Sequence, residues 1–182
     1  SYSPDGTQIL FESNRSGNWE IFLMENDGSM VQQLTHDSTE DRRPSWHPKG
    51  DRIVFESNRD GEVGLYTLNV YDGKVRKVKM EAINGKPIFA SYAPDGESIA
   101  FTEIISEDSS NLVIVDLRRN VIKKLATYGF RSYYPRWSPD GKRLLLRIKD
   151  PKPEELTKDK EDDKKPKPHV IDRLQFKRDY AG

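Results

Sequence analysis

Trp137-Ser-Pro-Asp-Gly141 is one of four copies of a short signature that recurs along this 182-residue chain. The other three copies are Tyr2-Ser-Pro-Asp-Gly6, Trp46-His-Pro-Lys-Gly50 and Tyr92-Ala-Pro-Asp-Gly96. Their leading aromatic residues stand 44, 46 and 45 residues apart. Five residues after each glycine comes a large apolar side chain, at Phe11, Phe55, Phe101 and Leu146. Two marks that recur together at one period indicate tandem repeats of about 45 residues.

Each repeat predicts four short strands joined by tight turns. In the Pro-Asp-Gly turn, proline presets the first central dihedral angle and glycine supplies the positive φ that follows. Two apolar runs come next, as in Arg52-Ile-Val-Phe55 and Leu65-Tyr-Thr-Leu68, and each suits a buried strand. A more polar segment, Lys74 to Met80 in the second repeat, fits an exposed outer edge. Arg42 to Trp46, which precedes a signature, supplies an innermost strand.

A single sheet of this size cannot bury both of its faces, so the repeats must stack. Radial stacking of four-stranded sheets gives a β-propeller, while a linear β-solenoid generally has shorter coils. We therefore predict an all-β fold: a partial β-propeller over residues 1–182, with about four four-stranded antiparallel blades. The segment is expected to be incomplete at both ends, because the first repeat starts at Ser1 without its innermost strand.

The last repeat is interrupted by a charged tract. Residues 149–168 contain seven Lys, seven Asp or Glu and four Pro. Such a segment lacks the apolar side chains that offset the entropy of ordering, so we expect a mobile loop rather than a docking element. A strand pattern resumes at Val170-Ile-Asp-Arg-Leu-Gln-Phe176. With no initiator Met or signal peptide, the chain is expected to be a piece of a longer protein.

The composition excludes several classes of function. Thirty basic and 30 acidic side chains give a net charge of zero, which argues against nucleic-acid binding and against attraction to an anionic membrane. Cysteine is absent, so disulfides, thiolate metal sites and a cysteine nucleophile are excluded. Mean hydropathy is -0.84 and no membrane span is expected. The sequence also lacks a Gly-x-Ser-x-Gly nucleophile elbow, so we predict no catalytic residues in this chain.

Few polar residues remain as candidates for a site. His36, His47 and His169 lie in unrelated parts of the repeats, so neither a metal site nor a catalytic triad is predicted, and no cofactor is expected. Glutamates at matching strand positions are more informative, with arginines in the turn that follows two of them. These five residues are Glu12, Arg15, Glu56, Arg59 and Glu103. They predict either ion pairs within blades, with Arg15 and Arg59 as the partners of the glutamates before them, or a ring of residues that lines a channel or contacts a ligand.

The repeat resembles the blades of TolB-like propellers over nearly all of residues 1–148. The resemblance rests on the Trp/Tyr-Ser-Pro-Asp-Gly signature, the Ile-x-Phe strand, Ser-Asn-Arg at 13–15 and 57–59, and Ile21-Phe-Leu-Met24. Closely similar blades form the N-terminal propeller of prolyl oligopeptidase family serine peptidases. The strand at 170–177 favours that second family, and in particular its acylaminoacyl-peptidase group.

The two resemblances imply different functions. A peptidase propeller would gate access of peptide substrates to a C-terminal α/β-hydrolase domain outside this chain, in a cytoplasmic enzyme. A TolB-like propeller would instead be a scaffold or protein-binding domain, often periplasmic or extracellular. A third possibility for this chain is a homodimer, in which two copies pair through their open blade edges and complete one ring.

Overall fold

A computed structural model of the chain describes residues 1–107, 109–126, 132–148 and 170–172. These residues form β-strands and no helix. The strands are β1 Gln8–Ser13, β2 Glu20–Glu25, β3 Gln32–Gln33, β4 Asp41–Trp46, β5 Arg52–Ser57, β6 Gly64–Asn69, β7 Val75–Lys77, β8 Lys86–Tyr92, β9 Ser98–Ile104, β10 Ser110–Asp116, β11 Val121–Ala126, β12 Ser132–Trp137, β13 Arg143–Ile148 and β14 Val170–Asp172.

The strands form four antiparallel sheets, one for each sequence repeat. The first blade has the order β1-β2-β3, the second β4-β5-β6-β7, the third β8-β9-β10-β11 and the fourth β12-β13-β14. The predicted all-β partial propeller with four-stranded antiparallel blades is confirmed, and the second and third blades are complete. In the first blade a single bridge between Tyr2 and Ile9 stands beside β1, where the other blades have an innermost strand.

Neighbouring blades are held together by apolar clusters that draw on both sheets. Between the second and third blades, Val54 and Leu65 pack with Tyr92 and Phe101. Equivalent clusters join the first blade to the second through Leu10 and Phe55, and the third blade to the fourth. The central strands β5 and β9 of the second and third blades are therefore covered on both faces, as their continuous apolar runs predict.

The signature turns have the predicted geometry. Their glycines, Gly6, Gly50, Gly96 and Gly141, all have φ between 68° and 74°. In each turn the glycine N–H donates to the backbone oxygen three residues earlier, for example Gly50 to His47 at 2.9 Å. In the second, third and fourth blades these turns connect the innermost strand to the strand beside it.

Two predictions about the end of the chain fall outside the described residues. The charged tract at 149–168 is one of them, and nothing in the structure tests its expected mobility. The strand pattern at 170–176 is described only as far as Asp172, where β14 pairs with β13.

Candidate binding face on the innermost strands

Each innermost strand of blades two to four contains a bulge at the same place in its repeat. The pairing register shifts between Arg42 and Ser45 in β4, and equivalent shifts occur in β8 and β12. One residue in each bulge has a left-handed backbone: Arg43 with φ 49°, Phe89 with φ 59° and Tyr134 with φ 56°. Bulky side chains rarely adopt this conformation, so the surrounding structure must hold it in place.

Glutamates of the preceding blade contact two of these bulges. The Arg43 N–H donates to Glu12 Oε2 at 2.6 Å, and the Phe89 N–H donates to Glu56 Oε1 at 2.8 Å. Glu12 and Glu56 occupy the same position on β1 and β5, one residue after Phe11 and Phe55. A carboxylate from one blade thus accepts a charge-assisted hydrogen bond from the bulge of the next blade.

The side chains of the three left-handed residues continue this set of contacts. Arg43 Nη1 donates to Glu56 Oε2 at 2.6 Å, and the Arg43 guanidinium lies 4.9 Å from the centre of the Phe89 ring. The Phe89 ring is in turn 3.9 Å from the Tyr134 ring, centre to centre. We call Glu12, Arg43, Glu56, Phe89 and Tyr134 the inner relay, since they connect all four blades through the innermost strands β4, β8 and β12 and the adjacent strands β1 and β5.

The inner relay combines the buried carboxyl group of Glu56 with an exposed side that carries a cation and an aromatic ring. The side chain of Glu56 is 3% exposed, whereas that of Arg43 is 36% exposed. Tyr134 is 43% exposed and Phe89 is partly exposed. Arginine and tyrosine are enriched at protein interfaces, because both combine a large flat surface with hydrogen-bond donors.

Burial and hydrogen bonding shift the pKa of Glu56 in opposite directions. Burial raises the pKa of Glu56, and the hydrogen bonds from the Phe89 amide and Arg43 counter part of that rise. These donors therefore favour the ionised form of a carboxyl group that burial disfavours.

The predicted pairing of Glu12 with Arg15 and of Glu56 with Arg59 is wrong. Arg15 lies over the rings of Phe11 and Phe22, with its guanidinium 5.2 and 5.0 Å from their centres. Arg59 forms ion pairs of 2.8 Å with Asp37 and Asp41. The turn places both arginines above the sheet face that carries the aromatic rings, and away from the glutamates. An ion pair within a blade does form at Glu56, but its partner is Arg43.

Glu103 does not occupy the position of Glu12 and Glu56, so the predicted match was wrong by one residue. Phe101 pairs with Val113 as Phe55 pairs with Tyr66, and the residue that follows Phe101 is Thr102. Because side chains alternate along a strand, Glu103 points to the opposite face. There it accepts hydrogen bonds from Lys124, Asn111 and two backbone amides.

The environment of Glu103 stabilises its ionised form. Its side chain is fully buried. Burial acts to raise the pKa of Glu103, but the hydrogen bonds from Asn111, Lys124 and the amides of Asn84 and Gly85 outweigh it, so the pKa is lowered. Glu103 thus fixes the loop that leads into β8.

The described histidines lie apart from the inner relay. His47 is buried in the junction with the third blade, where its ring meets the Tyr92 ring edge-on at 4.9 Å. Burial lowers the pKa of His47, while the nearby Asp51 acts in the opposite direction. His36 is exposed, and His169 lies outside the described residues. Within the described ranges, no group of three or more His, Asp or Glu side chains is placed to hold a metal ion.

The relay residues Arg43, Phe89 and Tyr134 were not among the predicted site residues. A signal for them does exist, since each stands three residues before the aromatic residue of a signature, Trp46, Tyr92 or Trp137. Side-chain type varies from arginine to tyrosine at that position. The shared property is the backbone conformation, which the sequence letters do not show.

Comparison with known proteins places these features in a family. The profile of the TolB beta propeller domain family matches residues 1–158. A TolB homolog of Chlorobium luteolum is 28% identical over 141 residues, which are 78% of this chain and 31% of that protein. The chain therefore spans about a third of the length of this curated relative.

No helix in the described part of the chain is long and apolar enough to cross a membrane.

Solved structures of two kinds share the fold. TolB from Acinetobacter baumannii matches with a TM-score of 0.66 and 26% identity, over 79% of this chain and 35% of that one. A puromycin-hydrolyzing peptidase of Mycobacterium tuberculosis matches with a TM-score of 0.62 and 13% identity, over 81% of this chain and 24% of that one. The family profile covers most of the sequence, including every signature and the whole inner relay, and the chain belongs to the TolB beta propeller domain family.

Proposed function

We propose that this chain is a non-catalytic, protein-binding propeller domain, and that its partner contacts the exposed side of the inner relay. The observation that supports this proposal most strongly is the alignment of Arg43, Phe89 and Tyr134. Three successive blades each place a strained left-handed residue at one position, and their side chains touch one another. Backbone strain of this kind concentrates at functional sites.

The chemistry of the face favours a polypeptide over a small charged molecule. Arg43 already has Glu56 as a counter-ion, so its charge is largely compensated within the protein. The exposed surface therefore offers a guanidinium plane and aromatic rings, which suit apolar and hydrogen-bonding contacts with another protein. Of the five predicted site residues, we propose that Glu12 also reaches this face, since its side chain is 27% exposed.

A second candidate is the substrate-gating propeller of a prolyl oligopeptidase family peptidase, such as an acylaminoacyl peptidase. It is supported by the fold shared with the Mycobacterium tuberculosis peptidase and by the strand that resumes at Val170. In that case the same face would meet peptide substrates, and a hydrolase domain elsewhere in the gene product would carry the nucleophile.

Labelling with a fluorescent fluorophosphonate separates the two candidates. This reagent modifies an activated serine, so the full-length gene product is treated beside a known serine peptidase as the positive control. We expect no labelling above that of the heat-denatured protein. Labelling that depends on the native fold would contradict the proposal and assign the propeller to a serine hydrolase.

A further inference from the structure

We propose that Glu12 and Glu56 are positioning residues of the binding face. In this role each carboxylate holds the backbone of the next blade in its left-handed conformation and so aims Arg43 and Phe89 outward. The use of this face for binding rests on the proposed function. The contacts that Glu12 and Glu56 make do not depend on it.

The same contact is repeated at two blade junctions. Glu12 accepts from the Arg43 amide and Glu56 accepts from the Phe89 amide, at 2.6 and 2.8 Å. At a bulge the register shifts, so an amide in the bulge needs a partner from outside the ladder. The carboxylate of the preceding blade supplies that partner in both cases.

Glu56 also connects the bulge in β4 to the bulge in β8. Its Oε2 atom receives the Arg43 guanidinium, and its Oε1 atom receives the Phe89 amide. One carboxylate therefore fixes both the side chain of Arg43 and the backbone of Phe89, whose ring lies against that guanidinium. Loss of the carboxylate would free both groups together.

The third junction provides a natural comparison. Thr102 stands where Glu12 and Glu56 stand in the earlier blades, and it carries no carboxylate. Thr102 is fully buried, and among the described residues its hydroxyl has no hydrogen-bond partner. Tyr134, the next left-handed residue, is also the most exposed of the three. Glutamates thus hold the face at two junctions, and the residue at the equivalent position of the third junction is a threonine.

Hydrogen–deuterium exchange of the full-length gene product, followed by mass spectrometry, tests this role. The variants are Glu56→Ala, Glu56→Gln and the control Glu62→Ala, an exposed glutamate that follows the same strand. We expect Glu56→Ala to speed exchange in peptides that span Phe89 by about tenfold or more, because the amide loses its acceptor. Glu56→Gln keeps an oxygen there and should restore most of the protection, while Glu62→Ala should match the unaltered protein.

Two results would overturn the inference. One is unchanged exchange around Phe89 in Glu56→Ala. The other is an equal rise in core peptides such as 110–116, which would indicate general loss of stability and no positioning role. Because the measurement needs no partner, a failure of the proposed protein binding would leave it unaffected, and the two ideas can fail separately.

Discussion

Replacing Phe101 with alanine is expected to lower the free energy of unfolding by about 3–5 kcal/mol. The Phe101 side chain is fully buried, in the cluster that joins the second blade to the third. Removing the ring leaves a cavity between two sheets that cannot collapse without moving both. Urea unfolding of the 182-residue chain, followed by tryptophan fluorescence, measures the loss.

The equivalent residue of the first repeat is the matched control. Phe11 occupies the same position but is only partly buried, and it stacks against Phe22 on the open side of the first blade. We expect Phe11→Ala to cost about half as much or less, because less apolar area returns to water. Equal losses for the two variants would mean that the cluster between the second and third blades does not carry the stability assigned to it.

Replacing Gly96 with alanine is expected to cost about 2–5 kcal/mol, for two separate reasons. Gly96 has φ +71°, and a side chain in the left-handed region costs about 1–2 kcal/mol. A Cβ atom there would also lie 2.9 Å from Cε1 of the buried His47 ring, and overpacking of this kind typically costs about 1–3 kcal/mol. Thermal unfolding of the variant gives the total.

Two further variants separate these contributions. Gly73 has φ +67° with no atom within 4 Å of the position of a Cβ, so Gly73→Ala should show the backbone cost alone. Changing His47 to serine, the residue found at Ser3 and Ser138, should remove the crowding and bring Gly96→Ala close to Gly73→Ala. If the His47→Ser background leaves the cost of Gly96→Ala unchanged, the contact with His47 is not its cause.

The fold could be predicted from the sequence because its determinants are local and repeated. Pro139, Asp140 and Gly141 fix a turn by their own dihedral preferences, and the run from Ile53 to Phe55 is apolar enough to need cover on both faces. Four such copies can bury their apolar faces only by stacking against one another. None of these features depends on which residue of another blade lies opposite.

The candidate face could be predicted only in part, because it depends on contacts between blades. Glu12 and Glu56 were identified as unusual from their charge on a buried strand. Their partners are a backbone amide of the next blade and a side chain placed by a bulge, and neither follows from residue type. The error at Glu103 has a different cause: Glu103 stands two residues after Phe101, whereas Glu12 and Glu56 stand one residue after Phe11 and Phe55, so its side chain lies on the other face of the strand.

Site-specific photo-crosslinking tests the proposed binding face most directly. A benzophenone amino acid is placed at Tyr134, which is 43% exposed on the face, or at Tyr71, which is 81% exposed in an outer turn. The full-length gene product is irradiated in its own cells, and the adducts are identified by mass spectrometry. We predict a discrete adduct with one protein from position 134 and none from position 71, despite its greater exposure. Adducts of equal yield at both positions, or adducts only at position 71, would contradict the assignment of partner binding to the inner relay.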